Sequence, residues 1–272
     1  MNLAKKVKTA LVILKLKGIN GVIKVLRSKM DRAYRPDETM IAYELLSKST
    51  TQGLMIDVGA HHGGSLAPFA QAGWQVHAFE PDAQNRAVLA ENFGSFKNVH
   101  IDPRAISDHC EDNVTFYQSE ESSGVSGLSA FLPSHKATQS VSMVTLKQFM
   151  QEKRITRKTV DFLKTDTEGF DLMALKGYPW EESAPMLILC EFEDSKTLPL
   201  GYDFDTLAGF LVEKGYQLVI SEWHPVKRYG SPHDWSRFTT YPCVLRDPHA
   251  WGNIFAVKED ELYQALLSLC KI

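Results

Sequence analysis

Carboxylate and glycine residues stand at the ends of two apolar segments, where they could bind a nucleoside. Glu80 ends the segment QVHAFE, and Asp57, Gly59 and Gly63 belong to the turn DVGAHHGG after the preceding apolar run. Glycine lets a backbone turn tightly and approach a ligand closely. An acid about 20 residues after such a turn accepts hydrogen bonds from ribose hydroxyls. These residues predict a site for an adenosine-type ribose.

A second group of residues could activate a nucleophile beside that ligand. A hydroxyl is a weak nucleophile unless a base or a metal removes its proton. The predicted catalytic residues are Asp166, Glu168, Glu191 and His62. Asp166 and His61 are also predicted to bind the cofactor. The three acids could also collect one Mg²⁺, whose preferred protein ligands are carboxylates. We expect no metal site elsewhere.

The spacing of the turn distinguishes between cofactors. A dinucleotide fingerprint, G-x-G-x-x-G, places a helix N-terminus against a pyrophosphate, but Gly59 is followed by Ala60 and His61. S-adenosylmethionine has no phosphate and instead needs acceptors for its amino group and sulfonium. The sequence therefore favours S-adenosylmethionine. An NAD-dependent or nucleotide-sugar oxidoreductase and a non-catalytic module with a cofactor fold are the alternatives.

The elements that must position these residues alternate between strand and helix patterns. Short apolar runs with intervening helical periodicity predict parallel strands of an α/β fold, with helices on both faces of the sheet. Ligands in such open sheets bind outside the carboxyl ends of the strands. The seven predicted strands are 53–59, 75–80, 98–102, 160–166, 185–193, 217–223 and 252–258.

Several separated blocks resemble the FkbM family of S-adenosylmethionine-dependent methyltransferases. They are IDVGAHHGG, VHAFEPD, RAISDHCEDNVTFY, SVSMVTLKQF, VDFLKTDTEGFDLMALKGY and PMLILCEFE, in that order over about residues 54–193. The resemblance implies a Rossmann-like methyltransferase sheet. It also implies methyl transfer to a hydroxyl oxygen, with a sugar of a glycan, glycolipid or natural product as the first acceptor class.

The resemblance also assigns roles to residues. Asp57, Gly59 and Gly63 would hold the methionine end of the cofactor, Glu80 the ribose hydroxyls, and Asp108 would lie near the adenine amino group. The charged positions of the family signature correspond here to Lys164, Asp166, Glu168 and Gly169, and Glu191 ends the fifth strand.

A long aromatic segment, residues 222–253, separates the sixth and seventh predicted strands. Long insertions on such scaffolds often shape a pocket, and aromatic faces beside cationic and amide donors suit a sugar ring or a phosphorylated, polyhydroxylated acceptor. We predict that this segment is a substrate cap in which His224, His233 and Trp235 contact the acceptor. A surface excursion held by its own aromatic residues is the alternative. The predicted methyltransferase domain spans residues 49–272.

Charge is distributed unevenly between the N-terminal segment and the rest of the chain. Residues 1–35 carry a net charge of +9 and the remainder −12, so the main body would repel nucleic-acid phosphates. Residues 1–48 are predicted to form a basic amphipathic helical extension. Its lysines interrupt every apolar run, so neither a signal peptide nor a membrane span is expected. Four widely spaced cysteines favour a reduced, cytoplasmic protein.

The basic extension could pack on its own domain, on a second copy of the chain, or on an anionic membrane surface. Membrane contact predicts that the full-length chain sediments with anionic liposomes, whereas a form that begins at residue 36 remains in the supernatant. Equal sedimentation of both forms would exclude it.

Overall fold

The computed structural model describes residues 35–119, 123–155, 160–229 and 231–272. The predictions for residues 1–34, including the amphipathic helices and the membrane contact, lie outside these ranges. Within them, no helix is long and apolar enough to cross a membrane.

An eight-stranded sheet with helices on both faces forms the body of the structure. The helices are α1 (Glu38–Leu46), α2 (Ala67–Gln71), α3 (Ala83–Phe93), α4 (Leu146–Glu152), α5 (Asp171–Lys176), α6 (Asp194–Thr197), α7 (Phe204–Glu213) and α8 (Asp260–Cys270). The strands are β1 (Leu54–Val58), β2 (Gln75–Phe79), β3 (Val99–Asp102), β4 (Ala105–Ile106), β5 (Glu111–Ser119), β6 (His135–Val144), β7 (Phe162–Thr165), β8 (Leu187–Glu193), β9 (Gln217–Trp223), β10 (Trp235–Thr240) and β11 (Trp251–Val257).

The order of the strands creates a switch point near the centre of the large sheet. The order is β10-β9-β11-β8-β7-β1-β2-β3. The five strands from β8 to β3 are parallel, whereas β11 is antiparallel to both β8 and β9. The chain leaves β1 toward β2 on one side and returns as β7 on the other. Ligands bind at such a reversal in open α/β sheets.

Nearly continuous apolar runs form the central strands because both of their faces are covered. All five residues of β1 are buried; Leu54, Ile56 and Val58 pack on one side of the sheet, and Met55 packs on the other. Helices α4, α5 and α7 cover the first side, and α1, α2, α3 and α8 cover the second. This two-sided burial fixes the direction in which each strand-end side chain points.

All seven predicted strands are present, and the structure adds elements that the sequence pattern did not reveal. Strand β10, which lies in the predicted cap, pairs with β9 at the edge of the large sheet. A separate sheet of order β4-β6-β5 occupies residues 105–144, where the sequence showed only a less regular stretch. Strands β5 and β6 are mostly exposed or half-buried, so they lack the apolar runs that marked the others.

The last residues before α1 connect the N-terminal side to the predicted cap. Arg35 Nε donates a 2.6 Å hydrogen bond to the carbonyl of His233. The carboxylate of the half-buried Glu38 accepts 2.8 Å hydrogen bonds from Ser221 Oγ and Trp223 Nε1. Residues 35–46 are therefore attached to β9 and to the segment that precedes β10.

We predict that Gly252→Ala destabilises the sheet. Gly252 lies in β11 opposite Phe192 and Glu222, and a Cβ would overlap the carbonyl oxygen of Ser221. Overpacking of this kind costs ~1–3 kcal/mol, which urea denaturation would measure. Gly209→Ala is the matched control, because a Cβ there meets nothing within 4 Å and alanine stabilises a helix by ~0.5–1 kcal/mol over glycine. An unchanged urea midpoint for Gly252→Ala would contradict the prediction.

Candidate functional site

A cavity of about 290 Å³ lies outside the carboxyl ends of β1, β2, β7 and β8, at the switch point of the sheet. Its lining includes one residue or more from the end of each of these strands: Gly59, Glu80, Asp166, Glu191 and Glu193. The small sheet contributes Ala105, Ile106 and Phe116, and residues 123–128 line the same side. Residues at the carboxyl ends of strands in both halves of the sheet therefore line the same cavity.

The turn after β1 lies very close to the start of the loop after β7. Gly59 has φ +82°, and a Cβ on it would overlap the carbonyl oxygen of Asp166. Its amide donates to the carbonyl of Phe79 at 3.0 Å, and the amide of Asp166 donates to the carbonyl of Val58 at 3.0 Å. Position 59 thus requires glycine both for its backbone conformation and for this close approach.

Glu80 and His61 form a second contact between the turn and β2. Glu80 Oε2 accepts a 2.7 Å hydrogen bond from the His61 amide, and Oε1 accepts a 2.9 Å hydrogen bond from the Asp82 amide. Burial raises the pKa of Glu80 to about 7. The His61 ring lies with its Nε2 3.0 Å from Ser123 Oγ and stacks on His62 at 3.7 Å. Glu80 retains lone pairs for further donors.

A buried lysine, Lys164, contacts the acids and the glycine turn at the end of the cavity formed by β1 and β7. Lys164 Nζ lies 3.3 Å from Asp57 Oδ1 and 3.3 Å from Asp166 Oδ2, and it is 3.4 Å from the carbonyl of Gly59. Asp57 is fully buried and accepts a 2.6 Å hydrogen bond from Ser65 Oγ. Burial opposes the charge on Lys164, but the adjacent Asp166 and Asp57 raise its pKa overall.

A second buried lysine collects three glutamates at the other end of the cavity. Lys196 Nζ lies 2.6 Å from Glu168 Oε2, 3.1 Å from Glu191 Oε2 and 2.8 Å from Glu193 Oε2. Strand alternation brings Glu191 and Glu193 to the same face of β8, and α6 returns Lys196 to them directly after that strand. We call these four residues the Lys196 cluster.

Burial and charge oppose one another within the Lys196 cluster. Desolvation raises the pKa of Glu168 to about 7 despite the attraction of Lys196. The same cause raises the pKa of Glu191 well above its ordinary value. The backbone of Glu168 has φ +57°, a conformation that costs a non-glycine residue energy and is concentrated at functional sites. A carboxyl with a pKa near neutrality is suited to accept a proton.

Aromatic side chains enclose the Lys196 cluster where the cavity meets the predicted cap. Tyr229 donates a 3.0 Å hydrogen bond to Glu193 Oε1, and its ring lies 5.8 Å from Lys196 Nζ. His233 meets the ring of Trp251 edge-on at 5.1 Å. All three aromatic residues line the cavity.

A family model described as the methyltransferase FkbM domain matches residues 57–218. This range contains the glycine turn, Glu80 and both buried lysines. The chain belongs to the FkbM methyltransferase family. The Rossmann-like sheet is the methyltransferase fold that the resemblance implied. Tyr229, His233 and Trp251 lie beyond the matched residues. The FkbM match therefore covers the glycine turn, Glu80 and the Lys196 cluster but not these three aromatic residues.

Solved structures that match this chain include the following three, each at low sequence identity. A methyltransferase FkbM from Methylobacillus flagellatus KT is 16% identical with a TM-score of 0.44; the match covers 76% of this chain and 44% of that chain. An rRNA methylase from Streptococcus thermophilus is 8% identical (TM-score 0.42; 83% and 98% covered). Aeropyrum pernix fibrillarin, with natively bound S-adenosyl-L-methionine, is 10% identical (TM-score 0.38; 76% and 68%). The chain thus spans less than half of the first structure. The comparison with curated proteins gave no match.

The structure brings some of the predicted site residues to the cavity and leaves others outside it. Those that line it are Gly59, His61, Glu80, Asp166, Glu168, Glu191 and His233. Asp57 and Gly63 lie beneath the turn, where Asp57 binds Ser65 and Gly63 faces Phe93. His62 lies behind His61, with its Nε2 3.2 Å from Asn85 Oδ1.

Three predicted contacts do not reach the cavity. Asp108 lies outside it and is exposed, with its carboxylate 2.7 Å from His109 Nδ1. Asp108 follows β4, whereas the residues that do line this wall are Arg104 to Ile106. His224 is exposed, and the indole of Trp235 donates toward Ser221 Oγ at 3.3 Å. Trp235 packs on the core because it belongs to an edge strand.

Sequence reasoning missed Lys196. The only signal for it is the acid-rich segment EFEDSK at the end of β8, which could be interpreted only with the structure. The ammonium of Lys196 also decides the alternative that the three acids bind Mg²⁺. Asp166, Glu168 and Glu191 do offer oxygens that lie within 4.8 Å of one another. Lys196 already supplies a positive charge to two of these acids, so Mg²⁺ is not supported as a cofactor.

Proposed function

We propose that this protein transfers a methyl group from S-adenosylmethionine to a hydroxyl oxygen of an uncharged, sugar-like acceptor. One observation carries the proposal: a single cavity connects the Gly59 turn and Glu80 to the Lys196 cluster. Membership of the FkbM methyltransferase family supports the transfer of a methyl group. The oxygen nucleophile and the class of acceptor are our own inferences from the site.

The turn and β2 are suited to the cofactor. Glu80 would accept hydrogen bonds from the ribose hydroxyls through the lone pairs that the His61 and Asp82 amides leave free. The apolar side chains of Ile106, Phe116 and Val125 form the wall beside it and suit a purine ring. Asp166, whose side chain is 40% exposed, would face the cationic methionine end.

The Lys196 cluster is suited to proton removal from the acceptor. When bound, S-adenosylmethionine supplies an electrophilic methyl on a cationic sulfonium. We assign Glu168 as the base: its carboxylate would take the hydroxyl proton of the acceptor, while the bound cofactor would supply the methyl group and leave as a neutral thioether. Lys196 contacts Oε2 of Glu168, and Oε1 is assigned as the oxygen that takes the proton. Alignment of acceptor and methyl supplies much of the rate of such a displacement.

Charge along the cavity favours an uncharged acceptor over a phosphorylated one. The described lining contains five carboxylate side chains, Glu80, Asp166, Glu168, Glu191 and Glu193. Its two basic side chains are already engaged, Lys196 by three glutamates and Arg104 by Asp102 and Glu152 at 2.8 Å each. An anion would meet repulsion here. Hydroxyls can donate to the carboxylates, and Tyr229 and Trp251 offer faces for a sugar ring.

We predict that the wild-type protein binds S-adenosylhomocysteine in calorimetry and that Glu80→Gln weakens this binding by about tenfold or more, since hydrogen bonds to a charged group contribute ~1.5–3 kcal/mol. Asp108→Asn is the matched control. It makes the same change in an acid outside the cavity and should leave the affinity unchanged. Absence of binding by the folded wild-type protein would refute the proposed cofactor.

The affinity for S-adenosylhomocysteine should also depend on pH. Burial raises the pKa of Glu80 to about 7, and the ionised carboxylate is the form that accepts from both ribose hydroxyls. Affinity should therefore rise as the pH is raised through about 7 and level off above it. Glu80→Gln should abolish this rise, whereas Glu168→Gln, which changes a carboxyl of similar pKa at the other end, should retain it. A parallel profile in Glu80→Gln would assign the titration to another group.

A further inference from the structure

The acids of the Lys196 cluster overlap with a set of ligands that could hold a metal ion. Asp166, Glu168 and Glu191 each present a carboxylate oxygen, and these oxygens lie within 4.8 Å of one another. Carboxylate oxygens are the ligands that Mg²⁺ and Mn²⁺ prefer. Three neighbouring acids do not by themselves form a metal site. The position of Lys196 therefore determines whether a metal ion could bind to them.

The ammonium of Lys196 lies where a cation would contact these acids. Its Nζ is 2.6 Å from Glu168 and 3.1 Å from Glu191, and the side chain is only 2% exposed. It donates a hydrogen bond to Glu191 Oε2, and it forms a further ion pair with Glu193 Oε2 at 2.8 Å. Three carboxylates therefore share the positive charge of Lys196.

Aromatic rings hold the ammonium in this position. The ring of Phe131 lies 5.6 Å from Lys196 Nζ and that of Tyr229 5.8 Å. Both contacts favour a cation at this point and help to exclude water from it. Without a cation, three carboxylates this close together in a buried site would repel one another strongly.

We propose that Lys196 is a positioning residue that takes the place of a divalent cation: its ammonium holds Glu168 and Glu191 in position for the acceptor hydroxyl. This inference deepens the proposed function and relies on it for the presence of that hydroxyl. Lys196 acts through the two glutamates and does not itself contact the reacting atoms. A consequence follows for variants: removal of the ammonium should convert the cluster into a divalent metal site.

Binding of Mn²⁺, measured by electron paramagnetic resonance on the full chain, tests the inference without any acceptor. Lys196→Gln removes the charge and retains much of the side-chain length. We expect it to bind Mn²⁺ at least about tenfold more tightly than the wild type, since a cation in direct contact with the ligands would be gone. Mn²⁺ should also restore part of the melting temperature that the substitution lowers. The double variant Lys196→Gln with Glu168→Gln should lose both effects.

Two control variants separate the loss of this ammonium from a general loss of charge. Lys196→Arg keeps a cation in the cluster and should not gain Mn²⁺ binding. Lys214→Gln removes a lysine that lies over Trp180 and Phe210, away from the cavity, and should behave as the wild type.

Several results would overturn the inference. They are Mn²⁺ affinity in Lys196→Gln equal to that of the wild type, equal gain in Lys214→Gln, or failure of both Lys196→Gln and Lys196→Ala to fold with or without Mn²⁺. Calorimetry with S-adenosylhomocysteine on the wild type tests the proposed function separately. Cofactor binding without a gain in Mn²⁺ binding refutes only the role of Lys196, and the reverse result refutes only the proposed cofactor.

Discussion

Neutralisation of carboxylates at the ends of adjacent parallel strands is the constraint on which the site depends. Parallel strands bring their carboxyl ends to one edge of the sheet. Acids at those ends therefore lie close together, where little water reaches them. Like charges there are costly unless cations are buried with them. Lys164 serves Asp57 and Asp166 at one end of the cavity, and Lys196 serves three glutamates at the other. The two lysines allow an acid-rich cavity to exist inside a stable fold.

The two ends of the cavity differ in how they relate to the family. The FkbM match ends at residue 218, so it contains the turn, Glu80, both lysines and the three clustered glutamates. The aromatic residues Tyr229, His233 and Trp251 come from the segment between β9 and β11. The residues that we propose for cofactor binding and proton removal thus lie in the matched region, whereas the aromatic residues that we propose for acceptor binding lie outside it.

The sequence predicted the elements whose burial produces a recognisable pattern in a short run of residues. Strands buried on both faces appear as apolar runs, so β1, β2, β7 and β8 and the acids that follow them could be placed from sequence alone. The small sheet was missed because β5 and β6 are half-exposed, and β10 was missed because it is a half-buried edge strand that pairs with β9. Lys196 escaped because a buried lysine is recognisable only from the glutamates around it. Trp235 shows the converse: an aromatic residue in a predicted cap packs on the core instead of entering the cavity.

The close contact between Gly59 and the carbonyl of Asp166 has a consequence for ligand entry. Backbone hydrogen bonds link the turn to β2 through Phe79, and β7 to β1 through Val58, so three strand ends are held at fixed separation without help from any ligand. The nucleoside that we propose for this site would meet a surface whose shape is already set. Little conformational entropy is then lost at this end on association, and the affinity reflects mainly the contacts that are formed.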